Sequence, residues 1–150
     1  MSNITELLKV AHQRGQETGL PYEGALLPQE AFEVLRQSPN ARLVDVRTHA
    51  ETDWVGFVPN SILVEWVSWP DMEPNPQFLE QLKAQVPEDA LLLFLCRSGA
   101  RSHLAASAAT AAGFPSCYNV LQGFEGDRDG EFHRNSVNGW RAAKLPWKQT

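Results

Sequence analysis

Residues 90–113 read ALLLFLCRSGARSHLAASAATAAG, and this stretch decides the fold. Its opening, Leu91 to Leu95, is a continuous apolar run of the length expected for a strand buried on both faces of a parallel sheet. The run stops at Cys96. Arg97, Ser98, Gly99, Ala100 and Arg101 are small or basic and do not fit a strand. From Ser102 the chain turns alanine-rich through Ala112, with Gly113 where a helix would end. One cysteine therefore falls at the carboxyl end of a buried strand, in a tight turn that runs into a helix N-terminus. Open α/β sheets build their anion sites there.

The chemistry follows from that position. Thiolate is the reactive form of cysteine, and a helix N-terminus with adjacent cations lowers a thiol pKa from its ordinary value of about 8.5. The cations here are Arg97 and Arg101, and successive backbone N–H groups of the turn can curl into an anion-binding nest. Gly99 opens backbone conformations closed to other residues. An inert buried thiol is the ordinary fate of a free cysteine, but two arginines and a glycine in a strand-to-helix turn argue against it.

With these residues in view, CRSGARS resembles the active-site loop of single-domain rhodaneses, which are sulfurtransferases. The resemblance extends upstream to LVDVRTHAETDWVGFVPNS and downstream to YNVLQGFEGDRDGEFHR and VNGWRAAKLPW. It implies an α/β fold with a central, mainly parallel five-stranded sheet and helices on both faces. It also implies a rhodanese-like domain over residues 27–148, preceded by a helical extension over 1–26. Loop length adds a distinction. Phosphatase-like sites place an arginine six positions after the cysteine; here that position is Ser102, and the arginine is at five, Arg101. Among rhodanese-like proteins the shorter loop goes with sulfur transfer and the longer with phosphatase or arsenate reductase members.

The expected activity is transfer of a sulfane sulfur through a Cys96 persulfide. The donor is a small species such as thiosulfate or a persulfide, and the acceptor is a thiol or cyanide. Arg97, Ser98, Gly99, Ala100, Arg101 and Ser102 are expected to bind the anionic donor, with Asp45 and Arg47 in support. Asp45 would accept from loop or arginine donors, and Arg47 would add positive field at the pocket mouth. A persulfide carrier serving a protein donor or acceptor is the alternative, and phosphatase or arsenate reductase a weaker one. No metal or organic cofactor is implied.

The bulk properties agree with one soluble domain. At 150 residues the chain is long enough to bury a core. Thirteen basic against eighteen acidic residues give a net charge of −5, against a general nucleic-acid binder. No stretch has the length of a membrane span, and no signal-peptide apolar segment opens the chain. Two cysteines, Cys96 and Cys117, make no disulfide framework and fit a reducing, cytoplasmic setting.

Along the rest of the chain, residues 2–19 read as an amphipathic helix with Asn3 and Glu6 at capping-box spacing. It would pack on the outside of the domain or against a second copy in a homodimer. A short edge strand ends at Leu27, a helix opens at Pro28, and residues 42–46 and 62–64 read as strands. Thr48 and Glu51 have capping-box spacing before a short helix. GFVPNS, residues 56–61, departs from the family form in carrying Phe57 and Asn60 where a His and a second Gly are usual. The loop over 65–76 holds Trp66 and Trp69 and is expected either to shape the pocket rim or to cover the core edge. Cys117 reads as a structural thiol. Asp127-x-Asp129-Gly130 lacks the terminal glutamate of a calcium loop. Residues 137–145 read as a closing helix with Trp140 inward.

Overall fold

The computed structural model describes residues 3–150. Met1 and Ser2, with which the expected extension begins, lie outside them. The elements run α1 (Ile4–Thr18), β1 (Gly24–Leu26), α2 (Pro28–Gln37), β2 (Ala41–Asp45), α3 (His49–Trp54), β3 (Ile62–Leu63), β4 (Val67–Ser68), β5 (Glu73–Pro74), α4 (Phe78–Gln85), β6 (Leu91–Leu95), α5 (Ala100–Ala111) and β7 (Cys117–Val120). Five strands form one sheet in the order β1-β7-β6-β2-β3, and every neighbouring pair is parallel. β4 and β5 form a separate antiparallel hairpin.

Alternation along the strands assigns the faces. On β6, Leu92, Phe94 and Cys96 join Phe78 and Leu82 of α4 and Ala105, Ala106 and Ala109 of α5 in one core cluster. Leu93 and Leu95 point the other way, toward Leu7 and Ala11 of α1, Ala31 and Val34 of α2, and Trp140. Helices therefore cover both faces, and β6 is central and apolar on each. The alanine run of α5 is what lets that helix lie close to the sheet. Cys96, at the first position past β6, belongs to the α5 face by the same parity as Leu92 and Phe94.

The first helix caps as its sequence indicates at one end only in part. Asn3 Oδ1 accepts from the Thr5 N–H at 2.7 Å. At the other end Gly19 takes a left-handed φ of 66° and closes the helix. β1 pairs along its whole length with β7, so the segment before residue 27 supplies the edge strand of the main sheet as well as α1.

Two expected elements differ. The alanine-rich helix begins at Ala100 rather than Ser102, because Gly99 serves as its N-cap with φ 111°. Arg101 and Ser102 thus belong to the first turn of α5. Residues 137–145 form turns rather than a helix. Gly139 (φ 104°) and Lys144 (φ 61°) hold left-handed backbone that interrupts any helix there. The turns still drive Trp140 to full burial, with its indole N–H donating to Pro146 O at 2.8 Å.

Candidate active site

β6 ends by delivering Cys96, and four residues later α5 begins. The turn between them curls back on the sulfur: the Gly99 N–H donates to Cys96 Sγ at 3.1 Å. Gly99 holds a φ that side-chain-bearing residues rarely adopt, so the glycine in the sequence answers to a backbone requirement. Ser102, one turn into α5, approaches through its hydroxyl, with Oγ 3.3 Å from Sγ. Cys96 is 1% exposed, with its sulfur beneath the turn.

The segment after β7 clamps the turn from outside. Phe124 N–H donates to Cys96 O at 2.8 Å, and the Glu125 and Gly126 N–H groups donate to Arg97 O at 3.0 and 3.2 Å. The approach needs a glycine: a Cβ on Gly123 would lie 2.5 Å from Cys96 O. The Gly-rich sequence after the last strand therefore serves to press backbone against backbone at the cysteine.

Arg101 is paired. Its guanidinium grips Glu51 of α3 in a two-pronged bridge at 2.7 and 2.9 Å. Glu51 is also the capping-box partner of Thr48, accepting from its N–H and hydroxyl at 3.1 Å each. Burial works against the Glu51 carboxylate, but the Arg101 guanidinium and the Thr48 donors prevail and hold it down at about 2. The same pairing outweighs burial at Arg101 and raises its pKa.

Asp45 and Arg47 depart from the expected arrangement in one respect. Asp45 accepts from the Arg47 N–H, Nε and Nη2, the last at 2.7 Å. Arg47 is fully buried, with Nη2 also donating to Gly56 O at 2.8 Å and its Cζ 4.3 Å from the centre of the Phe124 ring. It does not stand at the pocket mouth, and its charge is matched by Asp45. Its place is beneath the site, tying the end of β2 to the segment that clamps the cysteine turn.

The mouth is a cavity of about 360 Å³. Arg97, Arg101 and Arg134 line it together with Glu51 and Glu125, and Trp69 and Met72 form its apolar side. The two tryptophans of the 65–76 loop divide the roles expected of them. Trp66 packs edge-on against Phe78 at 5.0 Å and covers the core. Trp69, 56% exposed, stands on the rim edge-on to exposed Trp54 at 5.9 Å. Arg134, which donates to Gly126 O at 2.7 Å, was not singled out by the sequence as a mouth residue. Ser98 is half-buried in the turn, and Ala100 is exposed at the start of α5.

Asn119 was also missed. It sits on β7 opposite Phe94, on the Cys96 face, and is almost fully buried. Ser102 Oγ donates to Asn119 Oδ1 at 2.6 Å, and Asn119 Nδ2 donates to Gly99 O at 3.2 Å. The available signal was a polar side chain within the apolar strand CYNV, at the parity that faces the cysteine. Cys117, by contrast, lies two residues earlier with its Sγ 3.7 Å from Phe114 O, and burial pushes its thiol up to about 11. It is a structural thiol.

Residues 28–128 match the family described as Rhodanese-like domain, and the chain belongs to that family, whose chemistry is of the sulfurtransferase type. Rv0390 from M. tuberculosis, known from a crystal structure, is 44% identical and superposes with a TM-score of 0.80 over 86% of this chain and 99% of its own. A Rickettsia conorii protein, the uncharacterized protein RC0915, is 39% identical over 124 residues, 79% of this chain and 92% of its own length. A Rhodopseudomonas palustris protein of unknown function, described as a possible tyrosine phosphatase, shares the fold at 21% identity and a TM-score of 0.57, covering 99% of this chain and 96% of its own. Among the described residues no helix is long and apolar enough to cross a membrane.

Proposed function

We propose that this protein moves a sulfane sulfur from a donor such as thiosulfate to a thiol or cyanide acceptor by way of a Cys96 persulfide. The observation that carries the reading is the Gly99 N–H aimed at Cys96 Sγ from a short turn whose arginine stands five positions after the cysteine. In the first displacement the Cys96 thiolate attacks the outer sulfur of thiosulfate. A sulfur–sulfur bond forms to Cys96, the original one breaks, and sulfite leaves with the electron pair. In the second, the acceptor attacks the outer persulfide sulfur and Cys96 leaves as thiolate. Arg97 and Arg134 are free of carboxylate partners closer than 4.0 Å among the described residues and are the cations placed to meet the sulfite charge. Arg101, held by Glu51, completes the positive wall.

The rim supports a further reading of the partner. Trp54, Trp69 and Met72 are exposed apolar side chains beside an arginine-lined mouth. Aromatic residues, Met and Arg are the side chains enriched where proteins meet, and this favours a protein-borne sulfur as donor or acceptor. Two free thiols fit a cytoplasmic setting. A phosphate ester is the disfavoured substrate, because the five-position arginine leaves a shorter ring of amides.

Intact mass after incubation with thiosulfate tests the proposal. Wild type should gain one sulfur, roughly 32 Da for covalent capture, cyanide should remove it, and Cys96→Ser should never acquire it. Absence of sulfur uptake from both thiosulfate and a peptide persulfide would sink the transferase reading.

A further inference from the structure

A circuit of hydrogen bonds runs from the sulfur through Ser102 and Asn119 to Gly99 and back. Cys96 Sγ is 3.3 Å from Ser102 Oγ, Ser102 Oγ donates to Asn119 Oδ1 at 2.6 Å, and Asn119 Nδ2 donates to Gly99 O at 3.2 Å. The N–H of the same Gly99 then returns to Sγ at 3.1 Å. Ser102 is fully buried and Asn119 is 4% exposed, so water does not compete freely for these groups.

The direction of each bond is set by donor and acceptor chemistry. A serine hydroxyl has one proton, and an amide oxygen only accepts. With its proton on Oδ1 at 2.6 Å, Ser102 turns a lone pair toward the sulfur. In that state it accepts from the thiol S–H and opposes the thiolate. Turning the amide over would place Oδ1 against Gly99 O, two acceptors face to face, so the carbonyl fixes the amide. The Tyr22 hydroxyl lies beside Asn119 and meets His103 Nδ1 at 2.8 Å. Burial raises the pKa of that phenol, which keeps it an O–H. Tyr22 belongs to the segment before β1, so the N-terminal part of the chain reaches the circuit.

We infer that Asn119 is a positioning residue that sets the direction of the Ser102–Cys96 hydrogen bond, and through it how readily Cys96 gives up its proton. Its bearing on catalysis rests on the reading of Cys96 as the reacting sulfur. Asn119 acts at two points. It holds the carbonyl of Gly99, the residue whose N–H faces the sulfur, and it holds the one proton of Ser102 away from the sulfur. Without the amide oxygen, the Ser102 proton is free to turn to the thiolate.

The test is the pH dependence of Cys96 alkylation by iodoacetamide, followed on the Cys96 peptide so that Cys117 is read separately. Wild type, Asn119→Ala and Asn119→Asp are each compared with and without Ser102→Ala. The charged groups about the sulfur are Arg97 and Arg101 from its own turn and helix, Glu51 on α3, Glu125 and Arg134 of the segment after β7, and the Asp45–Arg47 pair below; with Tyr22 and His103 they are the same within each comparison, so their field cancels. In the wild-type background Ser102→Ala should move the alkylation midpoint down by roughly half to one pH unit, the size of one hydrogen bond, because the S–H loses its acceptor. In the Asn119→Ala background the same change should move it up by a similar amount, because the thiolate loses a donor. Asn119→Asp keeps an acceptor toward Ser102 and should retain the wild-type direction, although it loses the donor to Gly99 O.

Equal signs in the wild-type and Asn119→Ala backgrounds overturn the inference. An upward shift on Ser102→Ala in the wild-type background overturns it alone, so the test stands even where Asn119→Ala folds poorly. Alkylation needs no sulfur donor. A wild type that fails to take up sulfur but shows the sign reversal would lose the transferase reading and keep this one.

Discussion

The Asp45–Arg47 pair and the Glu51–Arg101 pair flank the same cysteine turn, and each joins a carboxylate to an arginine through two or more hydrogen bonds. Their surroundings differ. Arg47 and Asp45 have side chains 0% and 1% exposed, whereas Arg101 and Glu51 are 17% and 19% exposed at the wall of the mouth. In a dry site each ion depends on the other for its charge to be matched, since no water is there to replace the partner. At the mouth an incoming anion can compete with Glu51 for the outer face of Arg101. The first pair is a fastening that ties the end of β2 to Gly56 and to Phe124 of the clamp segment; the second, on the proposed sulfur-transfer reading, is a charge reserve open to the donor. Chemical identity is shared, and depth separates the roles.

Removing one member of the buried pair is the sharpest way to break this distinction. Arg47→Met leaves Asp45 charged, buried and without its partner, and should destabilise the fold by roughly 3–5 kcal/mol, read from urea unfolding. Replacing both, as Asp45→Leu with Arg47→Met, should recover a large part of that loss, because no isolated charge remains. A single Arg47→Met change costing under about 1 kcal/mol, the range of exposed pairs, would show that the two pairs are equivalent after all.

Sequence alone made the central elements legible because each carried a strong local pattern. The apolar run Leu91–Leu95 and the alanine-rich helix appear where the pattern placed a strand and a helix, the helix starting two residues early behind the Gly99 cap. The Thr48–Glu51 capping box is present as spaced. Depth was not legible. Asp45-Val46-Arg47 and Arg101 read alike as charges at strand or helix ends, and only the packing of Phe124 over Arg47 separates a fastening from a mouth residue. Asn119 and Arg134 were hidden for a related reason: each gains its role from a partner far away in the chain, Ser102 for one and the cavity about Arg97 for the other. The expected helix over 137–145 failed because tertiary burial of Trp140 and two left-handed residues outweighed helical periodicity.

The mouth pair is sharpened by pH. Glu51 has its folded pKa lowered from 4.5 to about 2, so its contribution to stability is complete above about pH 4.5 and is lost as pH falls toward 2. Glu51→Gln keeps the shape and one acceptor oxygen but removes the charge, and should cost roughly 1–2 kcal/mol at pH 7. The difference in urea midpoint between wild type and this variant should shrink steadily between pH 4.5 and 2. A difference that stays constant across that window would mean that the carboxylate charge contributes nothing and that only packing is lost. On the proposed sulfur-transfer reading the same variant also releases Arg101, and KM for thiosulfate should fall.

The smallest effect on stability is expected at the rim, where the contrast between fastening and function is cleanest. Trp69 is 56% exposed and touches Trp54 edge-on, so its side chain covers little core. Trp69→Ala should change unfolding free energy by no more than about 0.5 kcal/mol, the usual range for surface substitutions. Its effect should fall on partner choice. If the apolar rim seats a protein-borne sulfur, transfer from a peptide persulfide should weaken severalfold relative to thiosulfate, since the small donor needs only the arginines of the mouth. Trp66→Ala supplies the control within the same loop. Trp66 packs on Phe78 in the core, so its loss should lower stability by a few kcal/mol and leave the ratio of the two donors unchanged. An equal loss with both donors in Trp69→Ala would assign that tryptophan to the general shape of the mouth and remove the argument for a protein partner.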